Sequence, residues 1–257
     1  VPRVAPAKLP AGRWQYRTVR HIHVIGIGAG NPDHASIQAV AAMRATDVFF
    51  ALDKGEQVGE LIAVRTELCR RHLDGDYRWV DIADPPRDRS PDDYNAEVRR
   101  WHSARADAIG DAFLAELDDD GVGAFLVWGD PSLYDSTLRI LDDLHERGAI
   151  EFTHDVIPGV TSISALAAAH RIPLHRIGES MIVTTGRRLA RDGGWPSDVA
   201  NAIVMLDGDC SFRHVDPTGI DIWWGAYLGT PHELLVSGPV AEVGAEIQRV
   251  RAEARVR

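Results

Sequence analysis

Short apolar blocks recur along the chain, each closed by glycine, proline or aspartate, with amphipathic stretches between them. The first, Ile22–Ile27, predicts a strand that runs into a turn with glycine at 26, 28 and 30. Glycines at alternate positions admit positive φ and leave room for something to lie against the backbone. A helix follows, with Asp33 as its N-cap and Ile37, Val40 and Ala41 along one face. Val48–Leu52 predicts a second strand ending at Asp53-Lys54-Gly55, and Trp79–Ile82 a third. Ser90 and Pro91 open a long helix as N-cap and first helical residue, with Tyr94, Val98, Trp101, Ala108 and Leu117 on its face. Asp118-Asp119-Asp120-Gly121 ends it and reads as a solvated helix terminus. Ala124–Trp128 is a strand of buried type, and a helix from Ser136 to Arg147 closes at Gly148. Phe152–Ile157 is the next strand and leads through Pro158-Gly159-Val160-Thr161-Ser162 into an Ala-rich helix.

That helix is not expected to pass Pro173, so Ile172-Pro173-Leu174 marks a domain boundary. Beyond it the pattern is strand-rich: Met181–Thr185, Ala202–Leu206, Ile222–Tyr227 and Leu234–Val236, then a helix near the C-terminus. The expectation is two α/β domains, residues 19–172 and a smaller 173–257, behind a loose proline-bearing extension over residues 1–18.

Composition narrows the partners. With 45% hydrophobic residues in 257, the chain can bury a proper core. Its formal net charge of −10 argues against a nucleic-acid backbone, while an anionic small molecule could still meet a local basic patch. Cys69 and Cys210 form no metal or redox spacing. No apolar run approaches the roughly 20 residues of a membrane span, and the cytoplasm is the expected location.

Three turns carry the candidate chemistry, each after an apolar strand. The glycine turn is compatible with a nucleotide but departs from the dinucleotide fingerprint. The third glycine of that fingerprint would fall at Asn31 or Asp33, and Pro32 removes a backbone donor. Asp53 could still serve as a ribose-binding acid, so an NAD(P)-dependent oxidoreductase stays open at this point. Gly129-Asp130-Pro131-Ser132 stands at the carboxyl end of a strand, where parallel sheets bind ligands; by itself it equally describes an Asp-Pro turn. Thr161 and Ser162 stand at a helix start, suited to a polar or anionic group or simply to capping. His21 and His23 alternate on a strand, yet no third metal ligand is spaced nearby to join them. Trp223-Trp224 reads as packing in so acidic a chain.

Taken together, Gly26–Pro32, Gly129–Tyr134 and Pro158–Ser162 resemble the tetrapyrrole methylase family in order and spacing, and the likeness extends through Met205-Leu206 to Gly225–Pro231. Residues 28–33, 48–55 and 184–188 are most similar to the branch that methylates precorrin-5 at C-1 with release of acetate in aerobic cobalamin biosynthesis. The resemblance implies two α/β domains with an active-site trough between them, a homodimer, S-adenosylmethionine as methyl donor and no metal. On the matching positions Gly28, Gly30 and Pro32 would line the trough, and Gly129, Asp130, Ser132 and Tyr134 would border the donor's sugar and methionine portions. Thr161 and Ser162 would hold its carboxylate, and Met205, Leu206, Ala226 and Tyr227 would frame its adenine. Methyl transfer from a sulfonium mainly needs alignment, whereas acetyl loss calls for a base and an oxyanion donor. Asp53, Lys54, Tyr134, Asp192 and the arginines are the candidates. Arg171, Arg176, Arg187, Arg188 and Arg191 face only Glu179 and Asp192 in sequence, and Arg187, after a strand and a glycine, is the preferred carboxylate receptor.

Overall fold

The computed structural model describes residues 19–53, 59–75, 77–88 and 93–254. The extension at 1–18, Lys54 and the Ser90-Pro91 helix start lie outside the described residues.

Five strands, β1 (Arg20–Gly26), β2 (Val48–Asp53), β3 (Arg78–Ala83), β4 (Val122–Val127) and β5 (Phe152–Ile157), form one sheet in the order β3-β2-β4-β1-β5. Every pairing in it is parallel, so all five carboxyl ends open on one edge. Helices α1 (Ile37–Arg44), α2 (Gly59–His72), α3 (Tyr94–Glu116), α4 (Thr137–Arg147) and α5 (Ser162–His170) connect and follow these strands. Alternate residues of β1 feed two separate cores. Ile22 and Val24 join Phe50, Phe125 and Phe152 against Ile109 and Phe113 of α3 and Leu141 of α4. Ile25 joins Phe49, Leu126 and Ile157 against Ala39 and Met43 of α1 and Leu68 of α2. A strand buried on both faces reads as a continuous apolar run, as β4 does.

Past Pro173, β6 (Met181–Thr185) pairs in parallel with β7 (Asn201–Met205), and β8 (Asp221–Ala226) pairs antiparallel with β9 (Leu234–Pro239). Helices α6 (Gly186–Asp192) and α7 (Val240–Ala254) complete this part. None of the described helices is long and apolar enough to cross a membrane.

Four local expectations need correction. Asp33 does not cap the first helix. The Asn31 side chain accepts from the Asp33 amide, Pro32 starts a single 3-10 turn, and Ser36 then caps α1 by accepting from Ala39 N at 3.0 Å. The buried face of α1 is accordingly Ala39, Ala42 and Met43, and Ile37 is 91% exposed. At the long helix, Asp93 is the N-cap, accepting from Ala96 N at 2.9 Å, in place of Ser90. Its buried face runs through Ala106, Ile109 and Phe113, a step away from Trp101 and Ala108.

The sheet's carboxyl edge is closed by contact between three loops. Gly28 and Gly129 exchange backbone hydrogen bonds of 3.2 and 2.8 Å across an isolated bridge. A methyl group on Gly159 would lie 2.1 Å from the Gly129 carbonyl oxygen, and one on Gly26 would lie 2.5 Å from the Gly159 amide nitrogen. No side chain fits there. Gly159→Ala is therefore expected to cost about 3 kcal/mol through overpacking. Gly148→Ala, at φ 63 with nothing within 4 Å of the added carbon, is expected to cost about 1 kcal/mol from backbone strain alone. Urea unfolding of the two variants checks the contrast.

Candidate active site

The loops after β1, β4 and β5 meet at the edge where parallel sheets place ligands. Asp130 holds two of them together. Its carboxylate accepts from the Gly159 amide at 2.9 Å, from the Ser132 amide at 2.9 Å and from the Ser132 hydroxyl. Burial pushes the Asp130 pKa up, but these hydrogen bonds outweigh it and hold the pKa below the ordinary 3.8. The side chain thus works, at neutral pH, as an ionised acceptor that fixes two loops. Asp135 repeats the device one turn on, accepting from Thr137 N at 2.7 Å where α4 begins.

A cleft of about 970 Å³ opens beside these loops. One wall is Gly129, Asp130 and Tyr134 with Thr161, Ser162 and Ile163 at the start of α5; the other comes from beyond Pro173, with Met205, Leu206, Trp223 and Trp224. A small apolar seam beneath it joins Ala29 of the glycine turn to Ala165 of α5 and to Leu228. Thr161 caps α5, its hydroxyl accepting from Ser164 N at 3.0 Å. The capping reading and the ligand reading of this motif are compatible, because the cap directs the helix start at the cleft. A helix N-terminus offers amide donors and a positive potential to an anionic group.

Backbone strain gathers here. Five non-glycine residues among those described have positive φ, and three of them are Tyr134, Leu206 and Tyr227 at φ 55, 52 and 53. Each costs about 1 kcal/mol or more, which persists only where the surroundings impose it. All three were picked out in the sequence as site residues, and nothing in residue type signals the strain.

Of the sequence candidates, the cleft wall gathers Gly129, Asp130, Tyr134, Thr161, Ser162, Met205 and Leu206. Gly28, Gly30, Pro32, Ser132, Ala226, Tyr227 and Arg187 are not part of the lining, although Gly225 and Leu228, flanking the pair 226–227, are. Gly28 is covered by the His34 side chain, and Gly30, at φ +142, packs on the Leu228 carbonyl and Thr230. Asp53 ends β2 on the same sheet edge, and its side chain is outside the description. Among the arginines, Arg188 and Arg191 pair with Asp192, Arg187 is exposed away from the wall, and Arg176 lines the cleft. Sequence reasoning named Arg176 among five arginines but preferred Arg187, which is not in the lining. It missed Trp223 and Trp224 as lining, because their exposure depends on which face of β8 meets the cleft.

A methylase architecture accounts for this edge-on cleft, and the chain belongs to the tetrapyrrole (corrin/porphyrin) methylases, whose family model matches residues 21–244. It is 46% identical over 241 residues to precorrin-6A synthase (deacetylating) of Sinorhizobium sp., covering 93% of this chain and 91% of that one. The crystal structure of CobF, a cobalamin-synthesis-related protein of Corynebacterium diphtheriae, superposes with a TM-score of 0.80 at 38% identity, covering 93% of each chain. Uroporphyrin-III C-methyltransferase of Thermus thermophilus, solved with S-adenosylhomocysteine, shares the fold at TM-score 0.53 and 17% identity, over 88% of this chain and 86% of that one. Membership in a methylase family removes the dinucleotide alternative.

A carboxylate held below its ordinary value contributes stability in full above 3.8, and that contribution is lost as pH falls through the lowered value. Asp130→Asn should cost roughly 2 kcal/mol at neutral pH, from charge-assisted hydrogen bonds lost. The difference in melting temperature between the two proteins should shrink as pH falls from about 6 to about 3. Thermal melts across that range measure it; a constant difference would remove the carboxylate from this role.

Proposed function

We propose that this chain is a methyltransferase of the precorrin-6A synthase type, which methylates precorrin-5 at C-1 and releases acetate. The observation that carries the reading is its near-full-length identity to a precorrin-6A synthase, 46% over 93% of the chain. In this reading the cleft lies between two domains that meet at Ile172-Pro173-Leu174. The enzyme acts as a cytoplasmic homodimer on a small-molecule tetrapyrrole, without nucleic acid or membrane.

The cleft fits the ligands by size and by donors. At about 970 Å³ it stands at the upper end of small-molecule sites, roughly 300–1,000 Å³. S-adenosylmethionine, bound there, supplies a methyl group on a positively charged sulfur that leaves as a neutral sulfide. The amides at the start of α5, beside Ser162, face the donor's carboxylate. Gly129 and Asp130 border its sugar, with the loop held by the Asp130 hydrogen bonds. Met205 and Leu206, with the backbone near Ala226, frame the adenine. Trp223, on the face of β8 that Gly225 turns towards the lining residue Leu166, presents flat apolar surface to the macrocycle, and Arg176 receives one of its carboxylates as a bidentate fork. Gly28, Gly30 and Pro32 support the turn behind the donor, and Ser132 and Tyr227 brace the loops that touch it.

Acetyl loss is the step that needs protein chemistry. A water oxygen bonds to the acetyl carbonyl carbon, the bond from that carbon to the ring breaks, and the electron pair enters the macrocycle, where it takes up a proton. Of Asp53, Tyr134 and Arg187, Tyr134 is the one in the cleft wall. We assign its hydroxyl as donor to the developing oxyanion, and Asp53, on the neighbouring strand end, as base for the water.

The test is one incubation with precorrin-5 and methyl-labelled S-adenosylmethionine, scored for label in the ring and for free acetate. Both products are expected. Label without acetate would remove the deacetylating assignment, and neither, with S-adenosylhomocysteine still bound, would remove precorrin-5 as substrate. Tyr134→Phe should slow acetate release by about a hundredfold while ring labelling persists, the size of effect seen when an oxyanion donor is removed. Equal loss of both products would reassign Tyr134 to binding.

A further inference from the structure

His21 and His23 gain in space the partner that their local sequence lacks. Their strand, β1, is paired in parallel with the edge strand β5, and the register sets His21 opposite Thr153 and His23 opposite Asp155. Residues two apart on a strand share a face, so the two imidazoles and the Asp155 carboxylate converge. The two rings meet edge to face with centroids 4.7 Å apart. One ligand atom from each of the three residues lies within 4.8 Å of the others. His23 Nδ1 is 2.6 Å from Asp155 Oδ1, and His21 Nε2 is 3.5 Å from the same oxygen. Ligands on a tetrahedral zinc ion stand about 3.3 Å apart, given bonds of about 2.0–2.1 Å. The second spacing already matches, and the first requires an opening of under about 1 Å.

The surroundings suit a metal. The histidines are 8% and 6% exposed, whereas the Asp155 side chain is 44% exposed at the sheet edge. The pocket is therefore dry on the protein side and open where an ion and a water ligand would enter. Thr153 stands at the other ring nitrogen of His21, its hydroxyl oxygen 2.8 Å from Nδ1. With the proton on Nδ1 and given to Thr153, the lone pair resides on Nε2, the nitrogen that faces Asp155. Such an outer hydrogen bond is the usual companion of a ligating histidine.

We propose that His21, His23 and Asp155 form a divalent transition-metal site, selective for zinc-like ions, that staples edge strand β5 to β1. Two imidazole nitrogens and one carboxylate are a donor set for zinc, cobalt or nickel and a poor one for calcium or magnesium. From His23 to the glycine turn at Ile27 the strand advances four residues, about 13 Å. The site stands apart from the cleft, and its role is to hold the sheet.

Calorimetric titration of the EDTA-stripped full-length protein with zinc chloride tests the proposal, with cobalt chloride as the spectroscopic probe. One metal per chain is expected, with tetrahedral cobalt absorption and a melting temperature that rises with free zinc. Asp155→Asn and His23→Gln should each weaken binding by about a hundredfold or more, and Thr153→Val by roughly ten- to a hundredfold. His145→Gln should leave it unchanged, although His145 and His154 form a second pair 3.3 Å apart. Circular dichroism verifies that each variant folds. No zinc uptake by the wild-type chain, or uptake unchanged in Asp155→Asn or in His23→Gln, would overturn the proposal.

Discussion

The close approach of Gly26, Gly129 and Gly159 is the constraint on which the site depends. Three loops leave neighbouring strands of a parallel sheet whose spacing is set by backbone hydrogen bonding at about 4.8 Å. Side chains on Gly26 or Gly159 would wedge the loops apart and widen the edge, whereas Gly129, with open space where its Cβ would lie, answers to its positive φ of 69. Without such side chains, the Gly28–Gly129 bridge extends the sheet's hydrogen bonding one step past its regular end, and Asp130 can reach the Gly159 amide. The glycine at 26 is thus a packing requirement between strands, whereas those at 28 and 30 serve the turn's positive φ as well. Everything on the cleft's first wall is hung from this junction, including the direction in which α5 starts.

Much of the sheet was legible because its strands are short, apolar and punctuated. The Phe152–Ile157 and Met181–Thr185 boundaries agree with the structure residue for residue, and Gly148 closes α4 in a left-handed cap at φ 63. Helix α2 was not legible. Its stripe of Val64, Leu68 and Cys69 is interrupted by Arg65, Glu67, Arg70 and Arg71, and among its described side chains Leu68 and Cys69 are the buried ones. Caps were misplaced for a different reason. Asn31, Asp33 and Ser36 are all good N-cap residues within six positions, and the choice among them is made by Pro32, which bends the chain into one 3-10 turn before α1 can begin.

The site divides along the same line. Motifs at strand ends were readable, since a parallel sheet brings its carboxyl ends together whatever the strand order. Which arginine faces the cleft was not, because that depends on how the segment after Pro173 folds back. Arg187 was attractive for its position after a strand and a glycine, but α6 begins at Gly186 and turns it outward, and the loop residue Arg176 lines the cleft instead. Asp155 shows the same limit. It stands 132 residues from His23, and only the register of β1 on β5 makes them neighbours.

The charge of the chain opposes a substrate that bears carboxylates, and the local geometry offsets part of that opposition. A net charge of −10 acts at long range, where salt screens it within about 10 Å. Recognition acts at contact, where the start of α5 and the guanidinium of Arg176 present positive potential to whatever enters. The acids nearest the loops are already engaged: Asp130 with Gly159 and Ser132, and Asp207 with the amide and hydroxyl of Ser211 at 2.7 Å each. At Asp130 and Asp207 an anionic ligand therefore meets carboxylates whose acceptor capacity is already turned inward on the protein's own amides, and Asp135 and Glu179 of the same lining likewise accept from Thr137 N and Arg176 N.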